Sequence, residues 1–174
     1  ADGALGEVAS ILSRLAELAS QSANGTLSAA QRSVVSNEFV ALGSEIERIS
    51  KVTEFNGIQL LSGSSEIMVQ VGTGSTTSSQ VMYRNQISTL AGLGLGGAGG
   101  SLSYSINGIS DDAAATASRL ALDAVYAAIY SVGAARGALG GIESRHSTAI
   151  TNLGVAKENY TASESQIRDV DVAS

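Results

Sequence analysis

A chain of 174 residues with no cysteine and no proline is long enough to bury a core of its own, and it excludes a disulfide framework, a thiolate metal site and a cysteine nucleophile. Hydrophobic residues make up 44% and aromatics only 4%, a balance that suits closely packed helices better than a pocket lined with rings. The net charge of -6 with ten scattered basic residues argues against a nucleic-acid partner, and no apolar run reaches the ~20 residues of a membrane-spanning helix, which argues against membrane insertion.

The first segment, residues 2–23, sets Leu5, Val8, Leu12, Leu15 and Ala19 at steps of 3, 4, 3 and 4. That spacing is a coiled-coil seam, and Asn24-Gly25 is a stop signal after it. The second segment, residues 28–52, opens on Ser28-Ala29-Ala30-Gln31. This predicts a capping box, in which the Ser28 hydroxyl and the Gln31 amide satisfy free N–H groups. Val35, Phe39, Leu42, Ile46 and Ile49 continue the heptad spacing, while Glu38, Glu45, Glu47, Arg48 and Lys51 fall off the seam. Asn56-Gly57 then supplies a turn.

Residues 58–109 read as a small β insert. Residues 58–61 are a short apolar run, and residues 67–71 and 80–83 are strand candidates separated by Ser and Gly, which predicts hairpins. Residues 92–100 are Gly-rich and read as a flexible loop, and residues 103–108 as a last strand and turn.

The final segment, residues 111–172, follows Ser110-Asp111-Asp112, an N-cap with acid in the first turn. Roughly 60 residues at 1.5 Å each give a rod of about 90 Å. Val125, Ile129, Val132, Leu139, Ile142, Ile150, Leu153, Tyr160, Ile167 and Val170 trace its apolar face. Gly133, Gly137, Gly140, Gly141 and Gly154 interrupt it. Each interior Gly costs about 1 kcal/mol relative to Ala, so these positions are expected where another backbone comes close. Neither shorter helix can bury its stripe alone. The expected fold is mainly α, an elongated antiparallel helical bundle with coiled-coil packing and a small β-hairpin subdomain, forming one domain over residues 1–174.

Four strings, in order along the chain, resemble bacterial flagellin. They are Leu12-Ser13-Arg14-Leu15-Ala16-Glu17-Leu18-Ala19-Ser20-Gln21-Ser22-Ala23-Asn24, then Thr53-Glu54-Phe55-Asn56-Gly57 behind Glu45-Ile46-Glu47-Arg48-Ile49, then Ser147-Thr148-Ala149-Ile150-Thr151-Asn152-Leu153-Gly154, and last Ile167-Arg168-Asp169-Val170-Asp171. The resemblance implies a structural subunit of the bacterial flagellar filament, extracellular, self-assembling with other flagellin subunits for motility, and met by an export chaperone and a cap protein. It implies no cofactor and no catalysis. In that family the middle of the chain faces outward; here it is short, so large outer domains are not expected. The opening at Ala1 inside a helical pattern reads as a core trimmed at both ends, expected to stay monomeric while the longer protein polymerises. Repetition of one heterologous contact then builds an open helical fibre.

The resemblance also implies a contact for Toll-like receptor 5, the innate-immune flagellin receptor. Its QRxREL motif corresponds to Ser13-Arg14-Leu15-Ala16-Glu17-Leu18, and an acid on the next helix corresponds to Glu38. Arg14, Glu17, Leu18 and Glu38 match. Ser13 and Ala16 depart from it, and Ala16 removes a guanidinium capable of bidentate contact, so recognition is expected to be weakened or absent.

Other strings invite chemical readings and have simpler ones. Gly94-Leu95-Gly96-Gly97-Ala98-Gly99 has the letters of G-x-G-x-x-G but opens no helix, so it reads as a loop. His146 is the only histidine; a triad with Ser147 needs a base and an orienting acid arranged in space, and a packed helix residue is the plainer reading. Asp111-Asp112 fits a helix start, and Asp169 with Asp171 lacks the loop spacing of a calcium site. Asn24-Gly25-Thr26 and Asn159-Tyr160-Thr161 are formal glycosylation sequons, and residues 75–79 are a Ser/Thr stretch open to O-linked sugar. A competing class is a cell-surface polysaccharide-binding protein using residues 58–109, where Tyr83 and Tyr104 are the only aromatics able to stack on a sugar. An enzyme is the third class, and no nucleophile, base and oxyanion set supports it.

Overall fold

A computed structural model describes residues 1–24, 26–63, 66–72, 74–84, 87–108 and 110–171. Gly25 of the expected stop and sequon, and Val172 at the expected helix end, lie outside the described residues, as do the side chains of Ser78, Asp169, Val170 and Asp171. The element order is α1 (Asp2–Ala23), α2 (Ala29–Val52), β1 (Glu54–Phe55), β2 (Ile58–Gln59), β3 (Glu66–Gln70), β4 (Gln80–Arg84) and α3 (Asp111–Asp171). The chain forms two compact units: Ala1–Ser65 with Asn85–Gly137, and Glu66–Arg84 with Ala138–Ser174.

In the first unit, the α1 seam is buried as its spacing predicts: Leu5, Val8, Leu12, Leu15 and Ala19 are all fully enclosed. Ala16, Leu18 and Ser22 widen the buried stripe. α2 folds back on α1 after a short link, and the capping box at its start forms, with Ser28 Oγ accepting from Gln31 N and Gln31 Oε1 accepting from Ser28 N. On α2, Phe39 and Ile46 are buried, while Val35, Leu42 and Ile49 are half-buried.

Along α3 the buried positions are Ala114, Ser118, Ala121, Val125, Ala128, Val132, Ala135 and Leu139, stepping by 4 and 3 without a break. Alanine and serine fill most of this seam, which is why aliphatic residues alone trace it poorly. α1 and α3 run antiparallel here. Arg136 Nε donates to Asp2 Oδ1 at 2.9 Å, and Ser22 Oγ and Ser118 Oγ donate to the same Ile106 carbonyl at 2.6 and 3.3 Å.

One expectation is extended and two are corrected. The turn at Asn56-Gly57 does more than close a helix: with φ of 52° and 76° it is the two-residue loop of a hairpin pairing Phe55 with Ile58. Both residues in the left-handed region fit a type I′ turn, which favours Asn-Gly. The Gly-rich stretch is not a slack loop. Leu90, Leu93 and Leu95 are buried, and Leu95 N, Gly96 N and Ser103 N donate to Leu90 O, Leu90 O and Leu95 O. Residues 103–108 form no strand; a single bridge pairs Gly96 with Leu102 just before them.

In the second unit, β3 and β4 pair antiparallel as predicted, from Glu66 opposite Arg84 to Gln70 opposite Gln80. The α3 residues expected on an apolar face are exposed there: Ile150, Leu153, Tyr160 and Ile167 stand at 69, 40, 70 and 75%. The five α3 glycines are corrected as well. A Cβ built on Gly133, Gly137, Gly140, Gly141 or Gly154 meets nothing within 4 Å, so among the described residues no other backbone presses on them. The close approach instead occurs at Gly43 of α2, where a Cβ would collide with the Leu102 side chain.

Candidate functional site

α1 and α2 bring three of the four candidate residues together. Arg14 on α1 donates from NH1 to Glu17 Oε2, one helical turn on, at 2.9 Å. It donates from Nε to Glu38 Oε1, across on α2, at 2.8 Å. All three side chains are between 44 and 67% exposed. The two carboxylates hold the Arg14 guanidinium above its ordinary pKa, chiefly through the hydrogen bond to Glu17 and then that to Glu38. Leu18, the fourth candidate, is 1% exposed and faces the core, so it supports the helix from below. The arrangement is a solvent-facing charged patch spanning α1 and α2.

Beside it runs an open groove between α1 and α3 of about 610 Å³, lined by Ser13, Ala16, Glu17, Ser20, Gln21, Asn24, Tyr126 and Ile129. Ser13 and Ala16, the two departures from the receptor motif, both border it. Tyr126 is 57% exposed there.

The remaining candidates take structural places. In the glycine stretch the N–H groups of Leu95, Gly96, Gly97 and Gly100 already donate to Leu90, Leu90, Ser101 and Gly97 carbonyls, leaving none of these four for a phosphate. His146 is half-buried on α3 with Glu143 and Ser147 exposed. Asp111 accepts from Arg32 NH1 at 2.8 Å. Thr161 of the second sequon donates to Lys157 O within α3, and Asn159 is exposed. In the Ser/Thr stretch, residues 77–79 form a 3₁₀ turn. Tyr83 is buried and Tyr104 half-buried, so the two rings proposed for sugar stacking do not form an open platform. No described helix is long and apolar enough to cross a membrane.

Two charged residues with buried roles escaped the sequence reading. Arg32 is 2% exposed, and its position three before Val35 continues the α2 seam backwards, so a charge on the seam was the available signal. Glu47, expected off the seam, is instead buried, and its Oε2 accepts from Leu90 N at 2.9 Å while Oε1 pairs with Lys51 at 3.0 Å. It pins the 88–102 turns to α2 together with Ser50, whose Oγ donates to Ser88 O at 2.6 Å. No spacing rule identifies that role, because the acceptor's partner lies 43 residues away.

The chain is similar to known proteins over nearly all its length. The family model for the bacterial flagellin N-terminal helical region matches residues 1–66, and that for the C-terminal helical region matches residues 122–174. Flagellin of Halalkalibacterium halodurans is 36% identical over 174 residues, covering 99% of this chain and 60% of the relative. Flagellin of Bacillus subtilis is 36% identical over 197 residues, covering 99% of this chain and 64% of the relative. The crystal structure of Bacillus cereus flagellin superposes with a TM-score of 0.69 at 27% identity, covering 87% of this chain and 80% of that one. This chain therefore spans a little under two thirds of the two flagellins compared by sequence. Both helical regions match in order, the relatives align across the insert, and the fold agrees: the chain belongs to the bacterial flagellin family.

Proposed function

We propose that this chain is the helical core of a flagellar filament subunit, a structural protein that self-assembles for motility. One observation carries the reading: α1, inside the N-terminal family region, runs antiparallel to α3, which enters the C-terminal family region at residue 122; each carries a buried stripe at heptad spacing, and Arg136 Nε donates to Asp2 Oδ1 between them. Such packing is a means of building a stiff subunit, and stiff subunits repeated by one contact form a fibre. On this reading the main partner is another copy of the same protein, with an export chaperone and a cap protein as further partners, and the working location is outside the cell.

The test is immunogold electron microscopy of the source bacterium with antibody raised against this chain, joined to mass spectrometry of sheared filaments. Gold along the filaments and peptides of this sequence within them are expected. Gold confined to the cell body, with no such peptides in the filaments, would overturn the reading.

The Arg14, Glu17 and Glu38 patch is the proposed contact for Toll-like receptor 5, in a weakened form, with Leu18 buttressing it from the core. The support is the geometry of the patch; the weakening rests on Ser13 and Ala16 in place of longer donors. In a reporter-cell assay the full-length protein is expected to activate the receptor less than a flagellin with the complete motif. Equal activation would remove the weakening from the proposal.

A further inference from the structure

Met68 and Met82 hold the only sulfur atoms in the chain, and they stand directly opposite each other on β3 and β4. Val71 N donates to Ser79 O at 2.8 Å, so the 71/79 pair carries ladder hydrogen bonds. By the alternation of an antiparallel ladder, 69/81 and 67/83 do so too, and 68/82 is a non-hydrogen-bonded pair, where side chains come closest. Flanking it on the same face are the Glu66–Arg84 ion pair at 2.8 Å and the Gln70/Gln80 pair. The two methionines are thus the apolar pair between polar pairs on this face. Met68 is 58% exposed and Met82 50%, far from the shielding a core thioether enjoys.

We infer that the Met68–Met82 pair is an oxidation site that switches this face of the hairpin from apolar to polar. The oxidant is hydrogen peroxide. A lone pair on Sδ attacks one peroxide oxygen, the O–O bond breaks and an S–O bond forms. The proton on the transferred oxygen passes to the departing hydroxide. Thioether and peroxide become sulfoxide and water, with sulfur losing two electrons and peroxide gaining them. The sulfoxide is polar and chiral, so the cross-strand pairing of two flexible apolar side chains is weakened and the strands are held together less well. This inference does not depend on the filament reading.

The experiment treats the whole chain with dilute hydrogen peroxide, folded and in urea, and follows each methionine by peptide mass. In the folded chain both methionines are expected to gain one oxygen at rates within about tenfold of those in urea. Slower reaction at either residue would overturn the assignment as a site. Hydrogen exchange of the peptide spanning residues 66–84 reads the switch. It is expected to quicken after oxidation, to return after methionine sulfoxide reductase treatment, and to stay constant in peroxide-treated M68L/M82L. Unchanged exchange in the doubly oxidised wild type would overturn the switch.

Discussion

Arg32 shows how much one side chain can settle. Its guanidinium is 2% exposed, pairs with Asp111 NH1-to-Oδ1 at 2.8 Å, and donates from NH2 to Leu27 O at 3.2 Å, joining the start of α2 to the start of α3. The partner carboxylate is 74% exposed, so the two ends of this pair have different costs. Arg32→Ala removes buried packing and a hydrogen bond to Leu27 O, and is expected to lower stability by about 2 kcal/mol in urea denaturation. Asp111→Asn, at the wet end, is expected to cost less than about 1 kcal/mol. A second residue-scale prediction concerns pH. Hydrogen bonding to Arg136 holds the Asp2 carboxyl below its ordinary pKa, outweighing desolvation. A depressed folded-state value means that the contribution is present above the unfolded pKa of about 3.9 and is lost as pH falls through the folded value. Thermal melts of Asp2→Asn and wild type are expected to differ at pH 7 and to converge at pH 2.

At the scale of elements, glycines of the same type have opposite roles. Gly43 lies where a Cβ would strike Leu102, so Gly43→Ala is expected to destabilise by about 1–3 kcal/mol through overpacking of the 88–102 turns against α2. Gly137 in α3 faces open space, so Gly137→Ala is expected to stabilise the isolated chain by up to about 1 kcal/mol through helix propensity. Calorimetry on the two variants checks both signs. Capping is the element-level feature that sequence reading handles best. The Ser28/Gln31 box and the Ser110 cap, whose Oγ accepts from Ala113 N at 3.3 Å, depend on residues within one turn of each other. Strand pairing around Asn56-Gly57 was missed, because Glu54 and Phe55 are too short a run to show alternation, although the Asn-Gly pair itself encodes the turn.

Across the whole molecule the heptad register of α3 continues past Leu139 through Ile142, His146, Ala149, Leu153, Ala156, Tyr160 and Ile167, while burial does not. The same pattern is therefore covered as far as Leu139 and half-buried or exposed beyond it. Val125→Ala is expected to cost about 2 kcal/mol, since it empties a fully buried site. Tyr160→Ser is expected to change the stability of this chain by no more than about 0.5 kcal/mol, since its ring is 70% exposed. Urea denaturation of the two variants separates these outcomes, and an equal loss in both would mean the seam is covered along its whole length.

Periodicity and caps are local, and so the three helices, their first turns and the α1 seam were legible from residues alone. The receptor motif implied by the family resemblance grouped Arg14, Glu17, Leu18 and Glu38 before any distance was known, although Leu18 lies in the core. Which half of a continuous heptad seam is buried was not legible, because the register at Val125 and at Tyr160 is the same and only a packed neighbour distinguishes them. Nor was the burial of Glu47, the order within the glycine-rich turns, or the opposite surroundings of Gly43 and Gly137. Each depends on a partner tens of residues away, and a chain's local pattern carries no information about where such a partner comes to rest until the helices have packed.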